Sequence, residues 1–207
     1  MIWFTSDNHF FHKNVISHCN RPFNNLHEMH EHMIQEWNKR VKPTEHIYVL
    51  GDFSFSGWTM TKKIVARLNG YKIFIKGNHD PAAHKLIAAG FNEVHENEWI
   101  KLGDQRVLLS HFPFHPMLNY HKNSDGSVIA DDVDMSMDRR YLHKRIVDDG
   151  EQWLLHGHVH QHWKQNGRMI NVGVDQWDFK PVPHDKILAM IEEGEKFDGK
   201  SKVDHGD

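Results

Sequence analysis

Short apolar runs alternate with amphipathic segments along the first half of the chain. The runs at 2–5, 46–50 and 71–76 are rich in Ile, Val, Phe and Tyr, which predicts buried strands. Between them, apolar residues recur every three or four positions at 27–41 and 59–69, which predicts two amphipathic helices. This alternation of strands and helices is typical of a layered α/β fold, in which helices cover a sheet.

The second half of the chain has a different pattern. Two apolar runs at 98–102 and 105–110 are joined by a Gly-Asp pair and predict a hairpin. Later apolar runs at 152–155, 169–172 and 186–191 predict further strands. Because hairpins accompany strand–helix alternation, we expect an α/β fold with sheets of mixed strand direction.

Polar segments set the predicted domain boundaries. A long polar connection spans 112–136, and a helix is predicted after it at 137–147. Connections of this length commonly form functional lids, so we expect this one to influence substrate choice. Few apolar residues follow 191, which predicts a single domain over 1–191 and a flexible polar tail over 192–207.

Composition excludes several classes of protein. The 207 residues carry 25 Lys and Arg against 28 Asp and Glu, a net charge of −3, which excludes a strongly basic nucleic-acid binder. One Cys excludes intramolecular disulfides, a Cys-rich zinc fold and an iron–sulfur cluster. No apolar run approaches the roughly 20 residues of a membrane span and no secretory signal is recognised, so we expect a cytoplasmic protein without a membrane partner. The 20 His residues make a metal site the first candidate.

Five polar clusters follow predicted strands. They are Asp7-Asn8-His9, Gly51-Asp52, Gly77-Asn78-His79-Asp80, Ser110-His111 and Gly157-His158-Val159-His160. Loops at the carboxyl ends of strands converge on one crevice in α/β proteins, so we expect these clusters to share a site. In extended chain, residues two apart point to the same side, so Asp7 with His9 and His158 with His160 are each predicted to aim two ligands at one cavity.

The donor atoms in these clusters predict a metal centre. Carboxylate oxygens, imidazole nitrogens and one amide oxygen are too many for one tetrahedral ion. They suit two ions that share a carboxylate and keep open positions for water and substrate. The mixed nitrogen and oxygen set suits Mn, Fe, Zn, Co or Ni better than Mg alone, and the sequence does not choose among these metals.

The order of these motifs resembles the calcineurin-like metallophosphoesterases. Asp-x-His, Gly-Asp, Gly-Asn-His-Asp, His and Gly-His-x-His occur in that family's order between Asp7 and about Val174. The segments 4–14, 21–23 and 171–175 are similar to a small bacterial and phage subgroup of phosphoesterases. The resemblance implies a four-layer α/β/β/α sandwich of mixed sheets with a dinuclear metal site at one end.

The resemblance also implies a role for each matched residue. The implied metal ligands are Asp7, His9 and His160 for one ion and Asn78, His111 and His158 for the other, with Asp52 bridging both. His79 is implied as the group that protonates the leaving group, and Asp80 as the acid that orients His79. Asp52 is followed by Phe53-Ser54 and not by the acidic and arginine residues of the protein-phosphatase branch, which argues against a phosphoprotein substrate.

The implied activity is hydrolysis of phosphodiester or phosphomonoester bonds by hydroxide activated between two divalent ions such as manganese. A small phosphate ester or a nucleotide is the expected substrate. The alternative is a nuclease acting on nucleic-acid ends or short oligonucleotides, and a non-catalytic metal-binding scaffold is less favoured because His79 and the ligand set are complete. Further candidates for substrate contact are Arg21, His12 and Asn14. The sequence leaves open the preference between diesters and monoesters and the oligomeric state.

Overall fold

Twelve short strands and five α-helices make up the described part of the chain. The structure, a computed structural model, describes residues 1–114, 118–122, 128–132 and 139–197. The strands are β1 (Ile2–Thr5), β2 (His46–Leu50), β3 (Tyr71–Ile75), β4 (Glu93–His95), β5 (Glu98–Leu102), β6 (Gln105–Leu109), β7 (Leu118–Lys122), β8 (Val128–Asp132), β9 (Trp153–His156), β10 (Gln165–Asn166), β11 (Met169–Asn171) and β12 (Val182–Pro183). The helices are α1 (Val15–His18), α2 (Leu26–Arg40), α3 (Trp58–Val65), α4 (Ala83–Ala89) and α5 (His184–Phe197), with 3-10 helices at Arg139–Lys144 and Val174–Gln176.

Two five-stranded mixed sheets form the centre of the fold. The first has the order β12-β1-β2-β3-β4, in which β1 to β4 are parallel and β12 is antiparallel to β1. The second has the order β10-β11-β9-β6-β5, in which β11, β9 and β6 are parallel and both edge strands are antiparallel. These sheets and their helices confirm the predicted α/β class with mixed sheets.

Both faces of the first sheet are buried. In β2, Ile47 and Val49 pack on one face with α2, α3 and α4. Tyr48 and Leu50 pack on the opposite face, against residues of the second sheet. Because neither face meets water, this strand reads as a continuous apolar run and does not alternate with polar residues.

The second sheet also contributes to two apolar layers. Its residues Val107 and Leu109 face the first sheet, together with Leu155 of β9. On the other face, Leu108 and Leu154 pack with a smaller cluster that includes Phe114 and Met169. The loops at the carboxyl ends of the central parallel strands are therefore carried by two sheets that share one core.

The predicted strand at 186–191 is wrong, because these residues belong to helix α5. Ile187 and Ile191 are spaced by four, and both are fully buried in the core between the sheets. A run of six mostly apolar residues fits a buried strand as well as a buried helix turn, so periodicity alone did not separate them. The helix also continues to Phe197, past the point at 192 where a polar tail was expected; residues 198–207 lie outside the described part of the chain.

The region around the long connection differs from its prediction as well. Strands β7 and β8 pair antiparallel within 112–136, where a connection without strands was expected. The helix predicted at 137–147 is a 3-10 helix over Arg139–Lys144. The influence of the 112–136 connection on substrate choice stays a prediction.

Within the described ranges, no helix is long and apolar enough to span a membrane.

Candidate active site

Loops that follow β1, β2, β3, β6 and β9 meet at one end of the two sheets. The Asp7 amide donates to the carbonyl of Gly51 at 3.1 Å, and the His9 amide donates to the carbonyl of Asp52 at 3.0 Å. From the second sheet, the amide of His158 donates to Asp7 Oδ2 at 2.9 Å. The polar clusters that the sequence places after these strands therefore come together in space.

The backbone at these clusters is left-handed. Positive φ angles of 47° to 70° occur at five of the predicted ligands, namely Asp7, His9, Asp52, His158 and His160. The extended conformation predicted for the Asp-x-His and His-x-His pairs is therefore wrong, although the side chains still converge. Residues with a Cβ adopt this region at a cost and keep it only where their surroundings hold them, and such residues concentrate at functional sites.

Two glycines allow the close approach of these loops. A Cβ at Gly157 would collide with the side chains of Ser6 and Asp7, and a Cβ at Gly77 would collide with the Asp52 carboxylate. Any larger residue at either position would push a predicted ligand out of place. Gly157, before the His-x-His motif, and Gly77, before Asn-His-Asp, are thus required by packing.

The first group of predicted ligands surrounds one oxygen of Asp7. Asp7 Oδ1 lies 3.9 Å from His9 Nε2 and 3.8 Å from His160 Nε2. The rings of His9 and His160 stack with their centroids 4.9 Å apart. Asp7 Oδ1 and both ring nitrogens of His9 are buried without a hydrogen-bond partner among the described residues. Buried polar atoms nearly always have a partner, so this arrangement fits a bound cation.

The second group brings an imidazole nitrogen close to two oxygens. His111 Nδ1 donates to the carbonyl of Leu50 at 2.7 Å, which directs Nε2 into the site. That nitrogen lies 3.0 Å from Asn78 Oδ1 and 3.6 Å from Asp52 Oδ2. When Nε2 is protonated it donates to Asn78 Oδ1, and when it is neutral these three atoms are the kind of donors that a divalent ion uses.

Asp52 lies between the two groups. Its Oδ2 is 3.6 Å from His111 Nε2 and 3.9 Å from His9 Nε2. Ligand atoms of Asp7, His9 and His160 lie within 4.8 Å of one another, and so do those of Asp7, Asp52 and His111. Asp7 therefore also contributes to both clusters, a sharing that the family resemblance implies for Asp52 alone.

The charges at the site favour cations. Burial raises the pKa of Asp52 to about 7, and the nearby Asp80 and Asp7 add to this rise although His111 opposes it. Burial also lowers the pKa of His9 well below its ordinary value and lowers that of His158 to about 2. His9 and His158 are therefore held neutral, which is the form that binds a metal. Burial opposes the charge of His111 and His160, but the charges of nearby carboxylates raise the pKa of His111 and raise that of His160 to about 11. A metal ion held by these two rings would therefore displace a proton from each.

Asp175 orients one of the predicted ligands, a role that the sequence did not reveal. His160 Nδ1 donates to Asp175 Oδ2 at 2.9 Å, which directs Nε2 toward Asp7. A carboxylate behind a metal-binding histidine fixes the tautomer and increases the basicity of the ligand nitrogen. Burial opposes the charge of Asp175, but the hydrogen bond from His160 and the charge of Arg21 hold its pKa below the ordinary value.

The prediction that Arg21 contacts substrate is contradicted by its surroundings. Its side chain is fully buried and pairs with Asp175 through Nε and one terminal nitrogen, at 2.8 and 2.9 Å. The remaining donors go to the carbonyls of Asp7 and Asn8 and to the sulfur of Met29. All five N–H groups are occupied, so Arg21 supports the ligand loops from behind.

His12 and Asn14, the other candidates for substrate contact, lie in different places. The His12 ring is 5.3 Å from that of His9 and stacks on Phe55 at 3.9 Å, so it borders the site. Asn14 is exposed and lines a separate surface groove of about 430 Å³ that also includes Leu26. Substrate contact by His12 stays a prediction, and the structure does not bring Asn14 to the predicted ligands.

His79 lies at the edge of the cluster with its side chain 42% exposed. Its Nε2 is 3.9 Å from Asp52 Oδ2, and its backbone amide donates to Asp52 Oδ1 at 3.0 Å. A side chain that is open to solvent on one side and adjacent to Asp52 on the other is suited to meet a bound substrate.

Asp80 has a different position from the one predicted. Its carboxylate accepts backbone N–H groups from Asp52 at 2.8 Å, Gly77 at 2.7 Å and Phe53 at 3.3 Å. These bonds fix the loop after β2 to the turn after β3. Asp80 therefore positions Asp52 and the Asn78 turn, and its carboxylate is directed to the backbone and not to the His79 ring.

We expect Asp175→Asn to weaken metal binding while the fold is kept. The amide oxygen still accepts from Arg21, but the charge that orients His160 is lost, and such changes weaken metal affinity about 10- to 100-fold. Competition with a fluorescent chelator measures the affinity. Asp178→Asn, at an exposed carboxylate nearby, is the control. Equal affinity in the two variants would remove Asp175 from the ligand support.

His30 should make stability depend on pH. Its Nε2 accepts the amide N–H of Phe11 at 2.8 Å, just after His9, and burial lowers the pKa of His30 to about 4. The folded pKa lies below the ordinary value, so this stabilisation is present above about pH 6.5 and is lost as pH falls toward 4.

The comparison uses His30→Gln, whose amide oxygen still accepts the Phe11 N–H but does not titrate. Between about pH 7.5 and 4.5 we expect the wild type to lose more stability than the variant, by about 1 kcal/mol or roughly 2–4 °C in Tm. Thermal unfolding followed by circular dichroism measures this difference. Parallel pH dependences would contradict the role given to His30.

Comparisons with known proteins match nearly the whole chain. The model of the calcineurin-like phosphoesterase superfamily domain matches residues 2–190. The chain is 30% identical to an uncharacterized protein, MJ1445, of Methanocaldococcus jannaschii, over 93% of this chain and 92% of that one. It is 28% identical to the Gene 66 protein of Mycobacterium phage L5, over 91% of this chain and 93% of that one. The crystal structure of AQ665, a protein of unknown function from Aquifex aeolicus, has a TM-score of 0.62 at 28% identity and covers 92% of this chain and 98% of that chain.

Proposed function

This chain belongs to the calcineurin-like phosphoesterase superfamily, and we propose that it hydrolyses phosphate esters with two divalent metal ions. The superfamily supports a phosphoesterase as the general function. The finer proposal rests on one observation, the position of Asp52 Oδ2 between His9 Nε2 at 3.9 Å and His111 Nε2 at 3.6 Å. One carboxylate oxygen that faces two separate imidazole groups is suited to bridge two cations.

The donor set fits such a pair of ions. The first ion would be held by Asp7, His9 and His160, and the second by Asn78, His111 and His158, with Asp52 shared. The ring of His158 belongs with the second group because its centroid lies 5.2 Å from that of His111. Bound ions would supply hydroxide near neutral pH and neutralise the charge of the phosphate. The nitrogen and oxygen donors suit Mn, Fe, Zn, Co or Ni.

The remaining chemistry belongs to the side chains. Asp175 and the Leu50 carbonyl hold His160 and His111 with their Nε2 atoms directed into the site. His79 is half-exposed beside Asp52 and would protonate the departing oxygen. A water oxygen forms the new bond to phosphorus and releases one proton to solvent. The bond from phosphorus to the leaving oxygen breaks, and that oxygen takes the proton of His79.

The proposed substrates are small phosphodiesters or phosphomonoesters, including nucleotides. A net charge of −3 supplies no broad attraction for long nucleic acids, so a short substrate is favoured. Arg21, which lies behind the ligand loops, is consumed by Asp175 and backbone carbonyls. Binding of the phosphate would therefore not use Arg21, and the metal ions and His79 would contribute to it.

The experiment is a matrix of metals and esters. Metal-free protein is reconstituted separately with Mn, Zn, Co, Ni and Fe(II), and each form is assayed with bis-p-nitrophenyl phosphate and p-nitrophenyl phosphate. We expect turnover that requires a metal and is removed by a chelator. Absence of turnover with every metal on both esters would contradict the proposed activity.

A further inference from the structure

A groove beside the predicted metal site includes His79 in its lining. It is lined by residues 54–58, 79–81 and Lys85 and has a volume of about 330 Å³. We call it the His79 groove. Because His79 would protonate the leaving oxygen, the part of the substrate attached to that oxygen extends toward the wall that His79 forms. The groove is thus placed to hold the leaving group.

Two exposed aromatic side chains line this groove. Phe55 is 41% exposed and Trp58 is 43% exposed. Phe55 is held in place, because its ring stacks on His12 at 3.9 Å and lies 4.6 Å from the ring of His79. Among the residues that the structure describes, the Trp58 ring packs on no other aromatic ring or cation. An immobilised ring and an unpartnered indole along one groove are suited to a flat aromatic ligand.

One side chain of the His79 groove carries a positive charge. Lys85 lines the groove from helix α4, is exposed, and forms no ion pair with a described residue. Ser56 adds a hydroxyl that lies 3.0 Å from Ser54 Oγ and that can also bond to the polar edge of a ring. A ligand that matches these groups has a planar ring with polar edges and a separate anionic group.

We propose that the His79 groove is a subsite for a leaving nucleoside that carries a further phosphate. The base of the leaving nucleoside packs against Trp58 and Phe55, and the further phosphate of that nucleoside contacts Lys85. The substrate class is then an internucleotide phosphodiester at the end of a short single strand. Stacking does not depend on the identity of the base, so we expect little sequence preference. The inference rests on the proposed hydrolase activity, and it assigns the position of the leaving group.

Three dinucleotides test the subsite. One carries a base and a terminal phosphate on the leaving nucleoside, the second lacks only that base, and the third lacks only that phosphate. All three have the same type of leaving alcohol, so their need for His79 is equal. Stacking against an aromatic side chain should make kcat/KM for the complete dinucleotide about tenfold or more higher than for the abasic one.

Matched variants locate the effect. In Trp58→Ala the ratio of kcat/KM for the complete dinucleotide to kcat/KM for the abasic one should fall to near one. Trp99→Ala, at an exposed Trp on β5, should keep the wild-type ratio. In Lys85→Met the preference for the terminal phosphate should disappear, whereas Lys101→Met should keep it. A ratio near one in the wild type, or one unaffected by Trp58→Ala, would overturn the subsite.

A binding measurement separates this inference from the proposed function. A nucleoside monophosphate is titrated into metal-free protein, and the indole signals are followed by NMR, with Trp58→Ala used to assign the Trp58 signal. We expect the Trp58 signal to shift, and the shift to weaken in Lys85→Met. No shift would overturn the subsite even if esters are hydrolysed. A shift without turnover of any ester would keep the subsite and reject the hydrolase.

Discussion

Asp52→Asn is expected to remove the second metal ion and to reduce turnover about 10³-fold or more, corresponding to the several kcal/mol that metal ions contribute to catalysis. Asp52 Oδ2 faces both His9 and His111, so its charge is shared by the two groups of ligands. Asparagine has the same shape and keeps the acceptor for the His79 amide. The fold should therefore persist, and only the carboxylate shared by the two ions should be lost.

Bound metal per chain and turnover are measured together. The apo protein should be at least as stable with Asn, because burial disfavours the Asp52 carboxylate and raises its pKa to about 7. Asp7→Asn tests the sharing seen at Asp7 and should weaken binding of both ions, because Asp7 belongs to both clusters. Asp178→Asn is the surface control. Two metals and near-normal turnover in Asp52→Asn would show that this residue is not the bridge.

His79→Ala is expected to separate metal binding from chemistry. His79 is 42% exposed and lies outside the ligand clusters, so both ions should stay bound. Loss of a general acid costs about 10²–10⁴ in rate when the leaving alkoxide needs a proton. A p-nitrophenolate departs without one, so the loss on an aryl ester should be small.

The measurement is the ratio of wild-type to variant turnover on an aryl ester and on a dinucleotide, at equal metal occupancy. His84→Ala, at an exposed residue of α4, is the control. Equal losses on both esters would indicate that His79 binds the phosphate and does not supply the proton. No loss on either ester would remove His79 from the mechanism.

Much of the site could be predicted because its signals are local. The polar clusters at Asp7, Asp52 and Asn78 each follow a strand that is recognisable from its own apolar residues. The carboxyl ends of neighbouring parallel strands lie at one edge of a sheet, so the clusters must meet. The resemblance to a known family then supplied the roles of the individual residues.

The remaining features depend on contacts that are distant in sequence. Arg21 and Asp175 are separated by 154 residues, and nothing in the local sequence of either one indicates a buried ion pair. From sequence alone, an arginine near the predicted ligands favours a phosphate contact, because its burial is not visible in the sequence. The one available signal for Asp175 is its position in the sequence. It is an acidic residue that follows the Gly-Val pair at 173–174, a short distance after the His-x-His motif.

The backbone conformation at the site and the helical form of α5 are also not evident from the local sequence. The left-handed conformation at His158 accompanies a contact with a loop of the other sheet, in which its amide donates to Asp7, and the residues of the His-x-His motif do not by themselves predict this conformation. In α5, Ile187 and Ile191 face the core between the two sheets, whereas Lys186 and Ala189 are exposed. Five of the six residues at 186–191 are nonetheless apolar, so within this short run the sequence does not show the period that distinguishes a helix from a strand.

The stoichiometry of activation by metal tests the central claim most directly. Mn²⁺ is titrated into metal-free protein at a concentration well above the dissociation constants, and turnover of bis-p-nitrophenyl phosphate is measured at each point. We expect turnover to remain low through the first equivalent and to reach its maximum at two equivalents per chain. Full activity at one equivalent would contradict a dinuclear centre bridged by Asp52.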